Sequence, residues 1–321
     1  MIGFAPAKIN LGLFITGKRP DGFHALESCF WPVQWQDVLE VHKRPEPGLA
    51  LRVSGIPIPG AADDNLIHRA YTLLHDRYPI GGVDAHLFKA LPMGAGLGGG
   101  SSDAVCMLKL MNVLWNLNLT DEEGLELAAQ LGSDCPFFWF SQPSLVTGRG
   151  EHLSKMEVGF PGPLYVTIIH PGIHIATKTA FSAIQPQLSD MDWNGLFHRP
   201  IEEWQHILRN DFESGITQKE PAVGDVLMAL KSSGAAYVQM TGTGSACYGI
   251  FTNEEEALAA HAMSEGRGWT SFSALFTSGP SNKSRRRAWR KADWATMPQA
   301  TASFPAKSMH QVIAKPTQHI P

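Results

Sequence analysis

Cysteine is scarce in this sequence, and the few cysteines that occur are scattered. Four cysteines are spread over 321 residues, with no C-x-x-C pair and no histidine cluster at the spacing of zinc ligands. We therefore expect free, buried thiols in a reducing compartment. The same pattern predicts no metal site built from protein ligands alone.

Long apolar runs are missing as well. No apolar stretch reaches the roughly 20 residues that a membrane-spanning helix needs, and the N-terminus has neither a basic leader region nor a small-residue cleavage site. A cytoplasmic protein without a membrane partner is the expectation. With 44% hydrophobic and 17% charged residues, the chain is not of the disordered class, and its length predicts two domains of about 150 residues each.

Basic residues are in the minority except at the C-terminal end. Residues 280–321 contain eight Lys or Arg and one acidic residue, which leaves 18 basic and 29 acidic residues in the first 279, a net charge of −11. Such an acidic body is not expected to bind nucleic acid in a general groove. The tail 280–321 lacks hydrophobic periodicity and is predicted to be disordered. An RNA or membrane-surface contact is the functional alternative to a solvated extension.

Glycine, by contrast, is abundant and concentrated in one place. Five of the 31 glycines fall within seven positions, between a predicted strand and a predicted helix. Backbone N–H groups in such a loop, with the first turn of the helix behind them, form a donor array suited to phosphate. The predicted phosphate-binding residues are Pro92, Met93, Gly94, Ala95, Gly96, Leu97, Gly98, Gly99, Gly100, Ser101 and Ser102.

The loop fits neither of two common nucleotide motifs well. No lysine follows the glycines, although the phosphate loop of P-loop NTPases requires one. Gly94, Gly96 and Gly99 satisfy G-x-G-x-x-G, so an NAD-binding oxidoreductase is a formal alternative. A Rossmann unit places an acidic residue at the end of its second strand about 20 residues further on. Asp121, the nearest candidate, opens a predicted helix instead, and the match to that motif is weak.

The order of the predicted elements indicates the fold class. Strands and helices are mixed without strict βαβ alternation, which is typical of an α+β protein, here of two domains with a boundary near residue 155. We assign residues 1–155 to the first domain and residues 156–279 to the second. The second includes a helix predicted over 201–212 from its apolar spacing.

One lysine and one aspartate stand out chemically. Lys8 is a charge within an apolar strand, where burial without a partner is costly; a surface lysine whose ammonium reaches water is the alternative. Asp134 stands two residues before Pro136. It is therefore suited either to capping a helix or to acting as a general base. The residues alone leave both roles of Asp134 open.

Several segments together resemble one known family. PMGAGLGGGSSDA resembles the ATP-binding loop of the GHMP small-molecule kinases. The pattern of the branch that acts on 4-diphosphocytidyl-2-C-methyl-D-erythritol is matched by APAKINLGLFITGKRPDGFHALES, DNLIHRA, GSDCPFF, TGRGE, HPGIHIATKTAF, NDFE and MTGTGSACYGIF. These segments occur in order between residues 4 and 276, and the tail matches nothing in the pattern.

The resemblance implies a fold and a function. The fold would be a two-domain GHMP kinase fold with the active site in the interdomain cleft. The activity would be ATP-dependent phosphorylation of the 2-hydroxyl of 4-diphosphocytidyl-2-C-methyl-D-erythritol, in the non-mevalonate isoprenoid pathway. ATP would be the co-substrate with Mg²⁺ carried on it, and the partner a small-molecule cytidine diphosphate substrate. A homoserine or mevalonate kinase is the alternative within the family.

The resemblance also implies the catalytic and acceptor-binding residues. Asp134 would take the proton from the substrate hydroxyl. Lys8 would pair with Asp134, hold it ionised and add positive charge near the transferred phosphoryl group. Asn10, on the same strand face as Lys8, would bind the sugar-alcohol part of the substrate together with Thr177.

An aromatic group is implied for the cytosine base. The rings of Phe23 and Phe181 would sandwich the base, and His24 would hydrogen-bond its edge. Stacking on an aromatic side chain does not distinguish one base from another, so the polar contact would supply the discrimination. Packing in the core is the alternative for both phenylalanines.

The nucleotide contacts implied by the resemblance have structural alternatives. Asn65 resembles a residue of the adenine pocket, and a helix N-cap beside Asp64 is its alternative. Ser101 or Ser102 would contact phosphate or Mg²⁺, with capping of the following helix as the other use. Both uses of a serine are compatible.

Overall fold

The computed structural model describes residues 1–60, 64–160, 162–176, 180–181 and 184–277. The chain divides into a compact unit Met1–Gly279 and a segment Pro280–Pro321. The tail that is predicted to be disordered lies outside the described residues, so that prediction stays open.

Six strands form the first sheet. They are β1 (Ile2–Lys18), β2 (His24–Arg44), β3 (Leu49–Gly55), β4 (Gly82–Lys89), β5 (Ser144–Gly148) and β6 (His152–Lys155). The order is β3-β4-β2-β5-β6, with β1 paired to β2. All neighbours are antiparallel except β3 and β4, which run parallel.

Four helices pack against this sheet in one apolar core. They are α1 (Leu66–His75), α2 (Gly99–Leu114), α3 (Asp121–Leu131) and α4 (Cys135–Phe140). The predicted burial of α2 is confirmed, because its apolar residues lie on nearly every side and most are inaccessible to solvent. Thr120 and Glu123 form the predicted capping box at the start of α3.

The second sheet has four antiparallel strands. They are β7 (Leu164–His170), β8 (Tyr237–Met240), β9 (Cys247–Phe251) and β10 (Thr270–Phe276), in the order β10-β7-β9-β8. The helices of this half are α5 (Trp193–Leu196), α6 (Trp204–Ile207), α7 (Glu213–Lys219), α8 (Pro221–Ser232) and α9 (Glu254–Gly266), with a 3₁₀ turn at Ile201–Glu203. Strands β8 and β9 are buried throughout, as expected for strands covered on both faces.

A glycine interrupts β1 where the strand contacts residues of the second half of the chain. Gly12 has φ of +67°, and the register with β2 shifts between Leu11 and Phe14. Its N–H donates to Gln239 Oε1 in β8 at 2.9 Å. A Cβ at this position would lie 2.9 Å from the Leu208 side chain. Positive φ and close packing together require glycine at this bulge.

The prediction of a helix over 201–212 is wrong for the residues that follow α6, which ends at Ile207. Leu208 is extended, with φ −87° and ψ 138°. The next residues pair with β1 instead: the Leu13 N–H donates to the Arg209 carbonyl at 2.8 Å, and the Asp211 N–H donates to the Leu13 carbonyl at 2.9 Å. Helical spacing is nevertheless present in the buried residues Ile201, Trp204, Leu208 and Phe212. Pairing with a strand about 200 residues away overrides this local pattern.

The four cysteines are free and buried, as predicted: Cys29, Cys106, Cys135 and Cys247. Within the described ranges, no helix is long and apolar enough to cross a membrane. Among the same residues, no cluster of three His, Cys, Asp or Glu side chains could hold a metal ion.

Candidate active site

The glycine-rich loop leads into the N-terminus of α2. Gly94, Gly96 and Gly98 have φ of 60°, 76° and 70°, in the left-handed region that glycine adopts without strain. Gly98 stands directly before α2 and supplies no side-chain cap. The first N–H groups of the helix therefore face the loop, where the helix dipole favours an anion.

Close packing is a second reason for glycine in this loop. A Cβ at Gly94 would collide with the imidazole of His174, and one at Gly96 with the carbonyl oxygen of Thr241. Both partners come from the second half of the chain. The loop therefore lies directly against the segments 170–176 and 240–246.

Lys8 is buried at the inner end of the loop. Its backbone N–H donates to the Leu97 carbonyl at 3.0 Å, and its side chain is 5% exposed. The ammonium lies 4.6 Å from the centre of the Phe30 ring and 3.8 Å from Asp134 Oδ2. Burial lowers the pKa of Lys8, and the nearby Asp134 carboxylate opposes this shift. The structure thus brings Lys8 and Asp134 together, as predicted.

Asp134 precedes α4 without capping it. Its side chain makes no hydrogen bond to the N–H groups of the helix, so the capping alternative is not supported. Its side chain is 35% exposed. A Cβ at Gly150, between β5 and β6, would lie 3.8 Å from Asp134 Oδ1. The carboxylate thus has its ion-pair partner on one side and an opening to solvent on another.

Asn10 is engaged with the protein itself. Its Oδ1 accepts from Lys8 Nζ at 2.6 Å and from Thr241 Oγ1 at 3.2 Å. Its Nδ2 donates to Ser28 Oγ at 2.9 Å. This amide therefore holds the Lys8 ammonium in place, in addition to any substrate contact. Thr177, its predicted companion, lies outside the described residues.

The aromatic residues predicted for the base lie on the outer side of the site. The rings of His24 and Phe181 are 5.1 Å apart at 32°, and Phe181 packs edge-on against Phe212 at 4.7 Å. The ring of Phe23 is 55% exposed and faces the Arg149 guanidinium at 5.2 Å. His24 and Phe181 are thus brought together, whereas Phe23 faces the loop between β5 and β6.

Of the residues predicted to contact the nucleotide, Asn65 has a structural role and Ser102 has a hydroxyl without a hydrogen-bond partner among the described residues. Asn65 Oδ1 accepts from the Ile67 N–H at 2.9 Å, so Asn65 is the N-cap of α1. Leu66 is 3.9 Å from where a Cβ of Gly100 would lie, which places the start of α1 beside the loop. Ser102 Oγ is buried and has no partner among the described residues. A buried hydroxyl without a partner is costly, and a bound phosphate or its cation would remove that cost.

Sequence reasoning missed the polar support around β1. Tyr248 OH donates to the Asn10 carbonyl at 2.7 Å, and Thr241 Oγ1 accepts from the Asn10 N–H at 3.0 Å. Asn210 Nδ2 donates to the carbonyls of Met240 and Gly242, both at 2.8 Å. These partners are about 30 to 240 residues apart in the chain, and no local pattern links them. A polar residue inside an apolar segment, such as Asn10 between Ile9 and Leu11, is the signal that could have identified them.

Comparison with known proteins agrees with this geometry. The family profile "GHMP kinases N terminal domain" matches residues 65–142, and "GHMP kinases C terminal" matches residues 195–266. The 4-diphosphocytidyl-2-C-methyl-D-erythritol kinase of Bacteroides fragilis is 41% identical over 258 residues, which cover 80% of this chain and 94% of the relative. That of Bacteroides thetaiotaomicron is 42% identical over 256 residues, covering 79% and 93%. This chain belongs to the 4-diphosphocytidyl-2-C-methyl-D-erythritol kinase family.

Solved structures support the same family and the GHMP kinase fold. A 4-(cytidine 5'-diphospho)-2C-methyl-D-erythritol kinase superimposes with a TM-score of 0.76 at 29% identity, covering 87% of this chain and 100% of that one. A homoserine kinase from Cytophaga hutchinsonii gives 0.64 at 19% identity, covering 86% and 93%, a likeness of fold alone. The predicted α+β GHMP kinase fold is confirmed. The domain boundary near residue 155 stays a prediction.

Proposed function

We propose that this chain transfers the γ-phosphoryl group of ATP to the 2-hydroxyl of 4-diphosphocytidyl-2-C-methyl-D-erythritol. The observation that carries the proposal is the Lys8–Asp134 pair at 3.8 Å, directly beside the glycine-rich loop. Phosphoryl transfer needs a phosphate cradle, positive charge near the transferred group and a base for the hydroxyl. These three parts meet here, and the relatives named as kinases of this substrate support the choice of acceptor.

Asp134 is the proposed base. Its carboxylate accepts the hydroxyl proton as the oxygen attacks the γ-phosphorus and ADP leaves, and the Lys8 ammonium lies 3.8 Å from this carboxylate. Lys8 also places positive charge where the transferred group gains negative charge. Asn10 fixes the ammonium through its Oδ1. None of these groups needs to move far during the reaction.

The loop 92–102 is the proposed ATP phosphate site. Its left-handed glycines and the start of α2 suit an oxyanion, and the unpartnered hydroxyl of Ser102 suits phosphate or Mg²⁺. Mg²⁺ is proposed to enter with ATP as part of the co-substrate, where it neutralises phosphate charge. Asn65, as the N-cap of the adjacent α1, is proposed to shape the adenine pocket.

The acceptor end is proposed to recognise cytosine through His24 and Phe181. An aromatic ring offers a stacking surface to any base, and the imidazole supplies the polar contact that separates bases. Phe23 completes the sandwich in the proposal, with the Arg149 guanidinium beside it. Thr177 and Asn10 are proposed to contact the methylerythritol part.

The two halves, residues 1–155 and 156–279, are proposed as the two domains around this site. The protein is proposed to work in the cytoplasm, on small molecules and without nucleic acid bound to its body. The negative charge of the first 279 residues supports the last point.

A substrate panel tests the proposal. Purified protein is given ATP and Mg²⁺ with 4-diphosphocytidyl-2-C-methyl-D-erythritol, homoserine or mevalonate, and ADP release is measured. We expect ADP release with the cytidine substrate only. The product should show a new ³¹P resonance from the phosphate group formed on the 2-hydroxyl oxygen. Turnover with homoserine or mevalonate would overturn the acceptor assignment. Tight NAD binding without ADP release would overturn the kinase assignment altogether.

A further inference from the structure

A buried cluster of ionisable groups lies beneath the glycine-rich loop and has no part in the proposed reaction. The Lys89 ammonium donates to Asp37 Oδ2 at 2.5 Å and to Asp103 Oδ2 at 2.7 Å. None of the three side chains is more than 3% exposed. Two carboxyl groups therefore share one ammonium in the interior of the first half.

The three residues come from the three elements that frame the loop. Asp37 is on β2, Lys89 is the last residue of β4, and Asp103 lies in the early part of α2. Asp37 Oδ1 also accepts the N–H groups of Ala90 at 2.6 Å and Leu91 at 2.8 Å, where the chain enters the loop. The entry to the loop is thus bonded directly to the Asp37 carboxyl, and α2 is linked to the same carboxyl through the Lys89 ammonium.

Lys89 also lies against the end of the loop. A Cβ at Gly99, the first residue of α2, would be 2.9 Å from Lys89 Nζ. Glycine at this position therefore allows the ammonium to reach the first turn of the helix. That turn carries the N–H groups proposed to meet the ATP phosphates, so a displacement of Lys89 would displace them too.

Stability does not explain the cluster. Buried ion pairs can often be replaced by apolar residues of similar size at no cost to the folded state. Asp103 Oδ1 is buried and has no partner among the described residues, which makes the arrangement less favourable still. What the cluster does supply is a fixed distance between β2, the loop and α2.

We infer that Lys89 is a positioning residue for the nucleotide: held between Asp37 and Asp103, its ammonium fixes the glycine-rich loop and the start of α2 in the geometry that binds the ATP phosphates. This inference rests on the proposed function of the loop. It requires that loosening the cluster weakens ATP binding and spares the acceptor, whose proposed contacts are on other elements.

The double variant Lys89→Met/Asp103→Leu in the full chain is the test. It removes one ammonium and one carboxyl and leaves the Asp37 carboxyl on its two N–H groups, so circular dichroism verifies its fold before any kinetic measurement. We expect KM for ATP to rise about 10-fold or more, KM for the acceptor to stay unchanged, and amide exchange across 94–100 to become faster. If the double variant does not fold, Asp103→Leu, which keeps the Lys89–Asp37 pair, is measured in its place with the same expectation.

Thr167→Val is the matched control. Thr167 is buried in β7, and its Oγ1 donates to the Ala257 carbonyl at 2.9 Å, so the variant loses a buried hydrogen bond away from the loop. Both KM values should stay unchanged in it. A folded cluster variant with the wild-type KM for ATP and wild-type exchange at 94–100 overturns the positioning role. Wild-type protein that binds no ATP overturns the proposed function instead.

Discussion

The two ends of the candidate site are built on opposite plans. At the phosphoryl-transfer end, Lys8 and Asn10 are almost fully buried and each is held by several polar partners. At the end proposed to recognise the base, Phe23 is exposed, and His24 and Phe181 are half-buried, with their rings 5.1 Å apart. The first end is fixed by hydrogen bonds and an ion pair, and the second end offers the faces of aromatic rings.

The difference fits what each end is proposed to do. A transition state with developing charge is stabilised by groups that are already in place, and reorganisation at that moment costs rate. A flat base only needs a face to stack on, and a ring that is partly exposed before binding gains burial when the base arrives. Changes at the buried end should therefore lower kcat, and changes at the open end should raise KM for the acceptor.

The largest effect is expected from Asp134→Asn. The amide keeps the size of the side chain but cannot accept the hydroxyl proton, so kcat should fall by about 10² to 10⁴. Steady-state kinetics of ADP release measures this, with circular dichroism to verify the fold. Asp84→Asn, which changes an exposed carboxylate paired with Arg44 at 3.5 Å, is the matched control and should keep the wild-type kcat. Near-wild-type turnover of Asp134→Asn would mean that Asp134 is not the general base.

Lys8→Met tests whether the buried pair acts as one unit. The variant leaves Asn10 Oδ1 without its closest donor and Asp134 without its cation, so kcat should fall by at least about 10-fold. In the double variant with Asp134→Asn, the loss should be much smaller than the product of the single losses. A kinetic double-mutant cycle measures this coupling. Independent, multiplicative losses would mean that the two side chains contribute separately.

Phe181→Ala tests the open end. Loss of one stacking face should raise KM for the cytidine substrate by about 10-fold, while KM for ATP and the fold stay near wild type. Phe272→Ala, which removes a ring stacked on Trp35 at 5.6 Å, controls for the loss of an aromatic side chain in general. Equal rises in both KM values for Phe181→Ala would assign Phe181 to the core.

The last prediction concerns folding stability, not kinetics, because the buried cluster makes this stability depend on pH. Burial raises the pKa of Asp103 to about 7, from an ordinary value near 4 in the unfolded chain. Between these values the folded protein holds a proton that the unfolded chain has lost, so its stability falls as the pH rises towards 7. Asn at 103 does not titrate, so Asp103→Asn should gain about 2 kcal/mol relative to wild type between pH 5 and pH 8.

Urea unfolding at pH 5, 6, 7 and 8 measures this difference, and Asp84→Asn again serves as the control. Parallel stability curves for wild type and Asp103→Asn would mean that Asp103 titrates normally. If the free energy of unfolding of Asp103→Asn instead rises relative to wild type as the pH falls, the predicted direction of the pKa shift is wrong.

Sequence reasoning was most successful where the chain determines its own conformation. The loop around Gly94 to Gly98 could be predicted because left-handed backbone needs glycine whatever surrounds it. The capping box of α3 and the burial of α2 are likewise local patterns. The Lys8–Asp134 pair followed from the cost of burying Lys8 and from the family resemblance.

What could not be predicted depends on distant partners. The segment 201–212 has helical spacing, but Arg209 and Asp211 hydrogen-bond to Leu13 of β1. The cluster around Lys89 joins residues 37, 89 and 103 across three elements. Asn10 was expected to face substrate, whereas its amide is largely occupied by Lys8, Thr241 and Ser28. Such pairings depend on tertiary packing, which a pattern of neighbours along the chain does not contain.

Strand β1 ties together parts of the molecule that lie far apart in the sequence. It is hydrogen-bonded over its length to β2, and beyond Gly12 also to Arg209 and Gln239 of the other half. We therefore expect the residues bonded to β1 to move less against one another than two bodies joined by a flexible hinge. Small-angle scattering should therefore give the same radius of gyration with and without ATP and acceptor, and a clear contraction on binding would show that the strand yields.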